Sequence, residues 1–470
     1  MRKIKSGGLT VVAVLLCLGV PQAVRADPID DYVNAEITRQ NVPGLSLAVI
    51  RNGQLMRANG YGLANLEHHV PVHPDTLFKT GAVGMQFTAV AVMQLVEDGK
   101  IGLDDPIRKY FPDSPVSWGP ITIRNLLNHT SGLPTTPNGN LRTEYTDDEL
   151  LGIIYKLDLN FDAGSRWRFS YCNYIVLGFL IEKITGEYYA DFVTERLFRP
   201  LGMQTAQPID DMAIIPNRAA GYDIREGKPR NAQWISATAN STADGSLYLS
   251  ALDYAAWGAA LLGRKAVKAE SWAAISQPAR LASGRIYPYG FGWFQGRSAD
   301  QEVWWHSGSW QGFQSFIIHY LRDDLTLVAV VNSEGGDPAR ITGHVAAMLD
   351  PKYAQLQGVP IKDREPAVTD EVKSLLQQIA QDQVSPEDFA YFAKRDFTAM
   401  MGRYRKQLTS LGQLREVALF ARRNLGDDRV YRYRARYAQG MVELSVGYAP
   451  NDKIGAFEIT SINDWNAPVQ

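Results

Sequence analysis

At 470 residues the chain is too long for one ordinary folded unit, and 45% hydrophobic with 21% charged residues is a globular balance, so two folded units are expected and a disordered or fibrous chain is excluded. A formal charge of −2 offers nothing to attract nucleic acid. Seven scattered histidines and two cysteines make no cluster with zinc-ligand spacing, so no metal or other cofactor is expected.

In chain order, Arg2, Lys3 and Lys5 precede an apolar run from Leu9 to Val20, and Val24 and Ala26 put short residues where a signal peptidase reads. The pattern predicts a secretory signal over residues 1–26, a mature chain starting near Asp27, and a periplasmic or secreted destination. The apolar run falls well short of the roughly 20 residues a spanning helix needs, so no transmembrane anchor is expected. Loss of Arg2, Lys3, Lys5 and Arg25 takes the 48 basic residues to 44, against an unchanged 50 acidic ones. Cys172 is then the single thiol, so no intramolecular disulfide is expected and the core must hold the fold.

Leu45 to Val49, followed by Arg51-Asn52-Gly53-Gln54, reads as an apolar strand closed by a tight hairpin turn, with a second strand after it. From Gln86 to Asp98, Phe87, Val90, Ala91, Leu95 and Val96 share one helix face while Ala89, Val92 and Met93 make the other face apolar too, which predicts an interior helix stopped by Gly99. Helical segments dominate from Arg124 to about Leu261. Strands return at Gly290 to Gln295, Glu302 to His306, Gln314 to His319 and Leu325 to Asn332, and a helix near Ile341 to Met348 covers them. This order predicts an α+β fold over residues 27–350, an antiparallel sheet flanked by helices with a helical subdomain. Residues 351–370, rich in Pro, Lys, Gln and Asp, read as a linker. Residues 371–470, helical to Gly412 and then alternating short strands, read as a second, small α+β domain.

Short motifs accumulate along the first domain in a fixed order. They are Val42-Pro43-Gly44, Asp104-Asp105-Pro106, His129-Thr130-Ser131-Gly132-Leu133-Pro134, Pro200-Leu201-Gly202-Met203, Tyr289-Gly290-Phe291-Gly292-Trp293 and His306-Ser307-Gly308. On these, the stretch from Val42 to about Leu349 resembles the β-lactamase-related serine hydrolase family, which includes class C β-lactamases, D-Ala-D-Ala peptidases and related esterases. The tail is similar, more loosely, to the NTF2-like modules appended to such proteins.

The resemblance implies an acyl-transfer site built on S-x-x-K, where a serine opening a helix and a lysine three positions on share one face, so that the amine can move the hydroxyl's proton. Members read like F-x-x-G-S-V-T-K-x-F-T-A. This chain reads Phe78-Lys79-Thr80-Gly81-Ala82-Val83-Gly84-Met85-Gln86-Phe87-Thr88-Ala89, which puts Ala82 at the nucleophile position and Met85 at the lysine position. The family's second motif, Y-x-N, aligns without gaps to Phe169 and Tyr171; a literal Tyr171-Cys172-Asn173 stands two residues later and needs an insertion and a compensating deletion. The losses agree physically, because a buried ammonium stripped of its partners costs several kcal/mol, and Met85 and Phe169 bring no polar group that needs satisfying.

The third motif survives as His306-Ser307-Gly308, followed by Ser309. The resemblance implies that this strand flanks the ligand and supplies half of an oxyanion hole, with the Ala82 N–H as the other half. Ligand-binding residues are therefore expected at His306, Ser307, Gly308 and Ser309, with no intact catalytic group. Removing the nucleophile of a serine protease costs about a million-fold in kcat and leaves roughly a thousand-fold over water. His129 is expected to be structural, and Trp304, Trp305 and Trp310 to lie in the core.

The leading expectation is an exported pseudoenzyme that binds a small-molecule or peptide-like, acyl-bearing ligand without hydrolysing it. The alternatives are a hydrolase of the same superfamily acting through a non-standard residue, first of all Cys172, and a structural interaction protein with a protein partner engaged by its tail.

Overall fold

The computed structural model describes residues 27–462 and Trp465, apart from 138, 299, 355–357 and 393 and the side chains of 394–396. The expected signal, residues 1–26, lies outside the described residues. No helix among the described residues is long and apolar enough to cross a membrane.

Asp27 caps helix α1 (Pro28–Arg39), its carboxylate accepting from the Ile29 N–H at 2.9 Å, with proline in the first turn. The expected hairpin follows as β1 (Gly44–Arg51) and β2 (Gln54–Asn65), joined at Asn52-Gly53. With β3 (Val70–Pro71), β4 (Phe294–Ser298), β5 (Gln301–Trp310), β6 (Phe313–Tyr320) and β7 (Leu325–Val331), it builds a seven-stranded antiparallel sheet in the order β4-β5-β6-β7-β1-β2-β3. β1 and β7 are central and buried along almost their whole length because helices cover both of their faces. Leu47, Val49, Ile318 and Leu327 pack with Val33 of α1 and with Ile341 and Val345 of a late helix, Pro338–Leu349.

The opposite face carries the larger core. Helix α2 (Met85–Glu97) is buried all round, as its two apolar faces require. Around it pack α3 (Tyr171–Thr185), α4 (Ala251–Gly263) and the shorter helices of the insert, with Ala48, Ile50, Ile317, Val328 and Val330 contributed by the sheet. The antiparallel sheet, its flanking helices and the helical insert agree with the fold class read from the sequence.

Three boundaries differ. The strand expected at Gly290 to Gln295 begins at Phe294, because Gly290 to Trp293 is consumed by a turn whose Gly292 has φ +77°. Within the expected linker, Tyr353 is completely buried, and the helix α5 that opens the tail starts at Pro366 rather than after residue 370 (Pro366–Gln381), with its proline in the first turn. The helical stretch expected from Glu371 to Gly412 is broken into α5 and α6 (Lys394–Ser410). Strands β8 (Leu414–Leu425), β9 (Asp428–Tyr437), β10 (Met441–Tyr448) and β11 (Ile454–Ile462) complete the tail as an antiparallel meander, with Tyr431, Tyr433, Leu444 and Val446 packed on Val372, Leu376 and Leu408.

Among the contacts between tail and body are those of Arg166 and Arg168, which flank Trp167 ahead of α3. Arg166 pairs with Asp428 at 2.6 Å, the side chains being 10% and 15% exposed, and its guanidinium lies 3.9 Å from the Tyr391 ring centre. Trp167 stacks on Tyr287 at 4.0 Å. Arg168 lies over Phe392 at 4.2 Å and donates to the carbonyls of Gly455, at 3.0 Å, and Tyr391. Removing one partner of a buried ion pair leaves the other charge unpaired, at about 3–5 kcal/mol. Arg166→Ala should therefore lower the stability measured by urea unfolding by that amount, whereas Arg166→Met combined with Asp428→Leu should recover most of it.

Candidate functional site

The site lies where the turn Gly81–Gly84 feeds α2. Ala82 is 3% exposed and Met85 is completely buried. The turn is clamped by backbone from two sides. On one, Gly308 of β5 comes so near that a Cβ there would stand 2.1 Å from the Thr80 carbonyl oxygen and 3.0 Å from the Ala82 nitrogen. On the other, a Cβ at Gly245, whose φ is +131°, would stand 1.9 Å from the Gly81 carbonyl oxygen. Side chains lock the clamp: the Ser315 hydroxyl donates to the Thr80 carbonyl at 2.5 Å, the Thr80 hydroxyl to the Gly245 carbonyl at 2.8 Å and the Thr88 hydroxyl to the Ala243 carbonyl at 2.7 Å.

His306 and Gly308 are buried on the side of β5 that faces this turn, whereas Ser307 and Ser309 are exposed. Successive strand residues point to opposite faces, so the Ser307 and Ser309 hydroxyls, expected at a ligand, stand away from Ala82 and only their main chain can face it. His306, also expected at a ligand, is 1% exposed and committed elsewhere. Its Nδ1 lies 2.7 Å from the Ser307 carbonyl and its Nε2 lies 3.2 Å from the Tyr289 hydroxyl, which lies 3.2 Å from His129 Nε2. The Asn173 amide donates to His129 Nδ1 at 3.0 Å, and the Ser131 hydroxyl donates to the Asn173 carbonyl at 2.6 Å.

One assignment of protons satisfies the whole chain. Asn173 donates to His129 Nδ1, His129 Nε2–H to the Tyr289 oxygen, Tyr289 O–H to His306 Nε2, and His306 Nδ1–H to the Ser307 carbonyl. Both imidazoles are held neutral: burial pushes His306 down to about 4, and burial together with the neighbouring His306 pushes His129 well below the usual range. No lone pair of either ring is open to the cleft, so neither can act as a base there. His129 is structural, as expected.

Phe169 reaches this chain, its ring 6.0 Å from His306 and 4.6 Å from His129. Tyr171, the first residue of α3, packs edge-on to Phe169 at 5.1 Å. Asn173, the asparagine of the literal Tyr-Cys-Asn, has both amide atoms taken by Ser131 and His129. Cys172 is completely buried in the apolar core, which removes a substrate's access to its thiol. The three tryptophans Trp304, Trp305 and Trp310 are half-buried. The structure thus brings Ala82, Gly308, His306, Phe169 and Tyr171 to one locality and leaves Cys172 and the two serine hydroxyls out of it.

Two ionisable groups near the turn went unread in the sequence. Lys79 is 5% exposed; its amine donates to the side-chain oxygens of Gln311 and, at 3.3 Å, Asn240, and burial pushes it down to about 8. A lysine inside the run Leu77-Phe78-Lys79-Thr80 was the available signal. Asp244 is half-buried between Ala243 and Gly245, and burial pushes its carboxyl up to about 6 against the bond from the Thr242 hydroxyl at 2.6 Å. Its signal was an acid in an otherwise small and neutral segment.

Residues 29–349 match the family model described as Beta-lactamase. The chain belongs to the beta-lactamase family. Among curated relatives, Penicillin-binding protein 4* of Bacillus subtilis is 26% identical over 302 residues, 60% of this chain and 66% of the relative. Putative penicillin-binding protein PbpX of Bacillus subtilis is 30% identical over 246 residues, 52% of this chain and 60% of the relative. The chain spans three fifths to two thirds of the length of these relatives. Among solved structures, the octameric penicillin-binding protein homologue from Pyrococcus abyssi matches with TM-score 0.61 and 21% identity over 93% of this chain and 96% of that one, so the likeness in fold takes in the tail. D-amino acid amidase from Ochrobactrum anthropi SV3 matches with TM-score 0.59 and 23% identity over 68% and 98%.

In this beta-lactamase-family chain the buried polar groups oppose one another in acid. His306 holds a proton at about 4 when folded, against an ordinary 6.5, so its contribution is fully present above pH 6.5 and is lost as pH falls toward 4. Asp244 has the reverse sign: raised from 3.8 to about 6, it costs stability as pH rises through that window. Melting curves should therefore show Asp244→Asn gaining on the parent more at pH 7 than at pH 4. Tyr289→Phe removes one oxygen and leaves two imidazole nitrogens unpaired, at about 1–3 kcal/mol each, and should lower urea stability by more than a single surface hydroxyl would.

Proposed function

We propose that this chain is an exported, non-hydrolytic member of the beta-lactamase family that binds a peptide-like or acyl-bearing ligand in the cleft beside Ala82. The observation that carries the reading is Ala82 and Met85 on the first turns of the buried helix, where the family resemblance implies a serine and a lysine. The clamp supports binding without attack, because the Ala82 N–H is a main-chain donor and survives the loss of the serine hydroxyl. The two closed imidazoles support it further, since neither ring has a lone pair free to activate a water. Export rests on the expected signal and predicts that the mature protein begins near Asp27, read by N-terminal sequencing.

Incubation with benzylpenicillin and with a fluorophosphonate should leave the intact mass unchanged; a covalent adduct mapped to one residue would overturn the reading. Ala82→Ser alone should gain no ester hydrolysis, because no base accompanies it. Ala82→Ser, Met85→Lys, Phe169→Tyr and Tyr171→Asn together should restore measurable turnover of esters or D-amino peptides, above that of the parent.

A further inference from the structure

We infer that the ligand carries a protonated amine, and that Asp244 pairs with it beside the ring of Tyr171. The inference rests on the cleft-binding reading and names the chemistry of the same site. The loop that carries Asp244 is fixed from every side. Ala243 gives its carbonyl to Thr88 at the first turn of α2, and a Cβ at Gly178 of α3 would stand 2.6 Å from its methyl group. Gly245 presses on Gly81, one residue before the old nucleophile position. The Tyr188 and Tyr189 hydroxyls donate to the carbonyls of Ser241, at 2.8 Å, and Thr242, at 2.9 Å.

The carboxylate is underused. Thr242 donates to Oδ1 at 2.6 Å and the Asp244 backbone N–H also bonds the carboxylate; among the described residues no other side chain donates to it and no cation pairs with it. The lysine that the family resemblance implies for this pocket is Met85, and the amine of Lys79 is spent on Gln311 and Asn240. A half-buried carboxylate without a cation is costly, and an incoming ammonium removes that cost. The titratable groups that face Asp244 are Tyr171, pushed up to about 12 mainly by burial and then by Asp244, and Tyr189, pushed up further by burial. Both are neutral in ordinary buffers, so Asp244 alone sets the charge. A carboxylate ligand, by contrast, would meet a like charge.

The test is calorimetric titration of the full chain with three probes of one shape: 2-phenylethylammonium, 2-phenylethanol and 3-phenylpropionate. The ammonium should bind at least about tenfold tighter than the alcohol at pH 7.5, and Asp244→Asn should erase the difference. The advantage should fall about tenfold between pH 7.5 and pH 5, as Asp244 takes up its proton. In carbon-13 spectra the Asp244 carboxyl should titrate lower once the ammonium is bound. Alcohol or propionate binding as tightly as the ammonium, unchanged in Asp244→Asn, overturns the amine assignment and leaves cleft binding standing. Failure of all three probes to bind overturns the amine assignment, while a covalent penicillin adduct overturns the reading beneath it.

Discussion

The approach of two backbones on a third is the constraint from which the site follows. Thr80 to Ala82 is squeezed between the strand at Gly308 and the loop at Gly245, where a Cβ on either glycine would strike main-chain atoms. Dense packing of main chain against main chain leaves no freedom for the turn, so the direction of the Ala82 N–H and the start of α2 are set by glycines rather than by the residue at the old nucleophile position. The side chains at positions 82 and 85 can therefore vary without moving the scaffold.

What fills the vacated space is consistent in charge as well as in volume. The lysine position is apolar, and the polar groups that remain nearby are drawn into a closed chain from Ser131 through Asn173, His129 and Tyr289 to His306. Every member donates once and accepts at least once along that chain, the condition under which a buried polar network is stable rather than a liability. The sole carboxyl close to the turn, among the groups discussed, lies outside the network and keeps an open valence.

The sequence carried the architecture well, because periodicity reports burial directly: the two apolar faces of Gln86 to Asp98 and the largely apolar runs of β1 and β7 could only be interior. Boundaries were lost where a local turn overrode propensity, at Gly290 to Trp293 and at the tail helix opened by Pro366. At the site, motif spacing singles out Ala82, Met85, Phe169 and Tyr171 in the sequence, and the structure sets Ala82 and Met85 at the start of α2. The direction of the Ser307 and Ser309 side chains was legible in principle, since period-two alternation fixes it once Gly308 is known to face inward. The partners of Lys79 and Tyr289 were not legible, because they are far away in sequence: 161 positions separate Lys79 from Asn240, and 160 separate His129 from Tyr289.

The segment from Arg166 to Tyr171 is held alternately from two directions. Arg166 and Arg168 are gripped by Asp428, Tyr391, Phe392 and Gly455 of the tail, while Trp167 and Phe169 are gripped by Tyr287, His129 and His306 of the body. Like a stitch passed through two cloths, it cannot slacken on one side without shifting on the other. The wall of the cleft is thus shared property of both folding units, and an excised body would carry a recess whose aromatic side had lost its anchor.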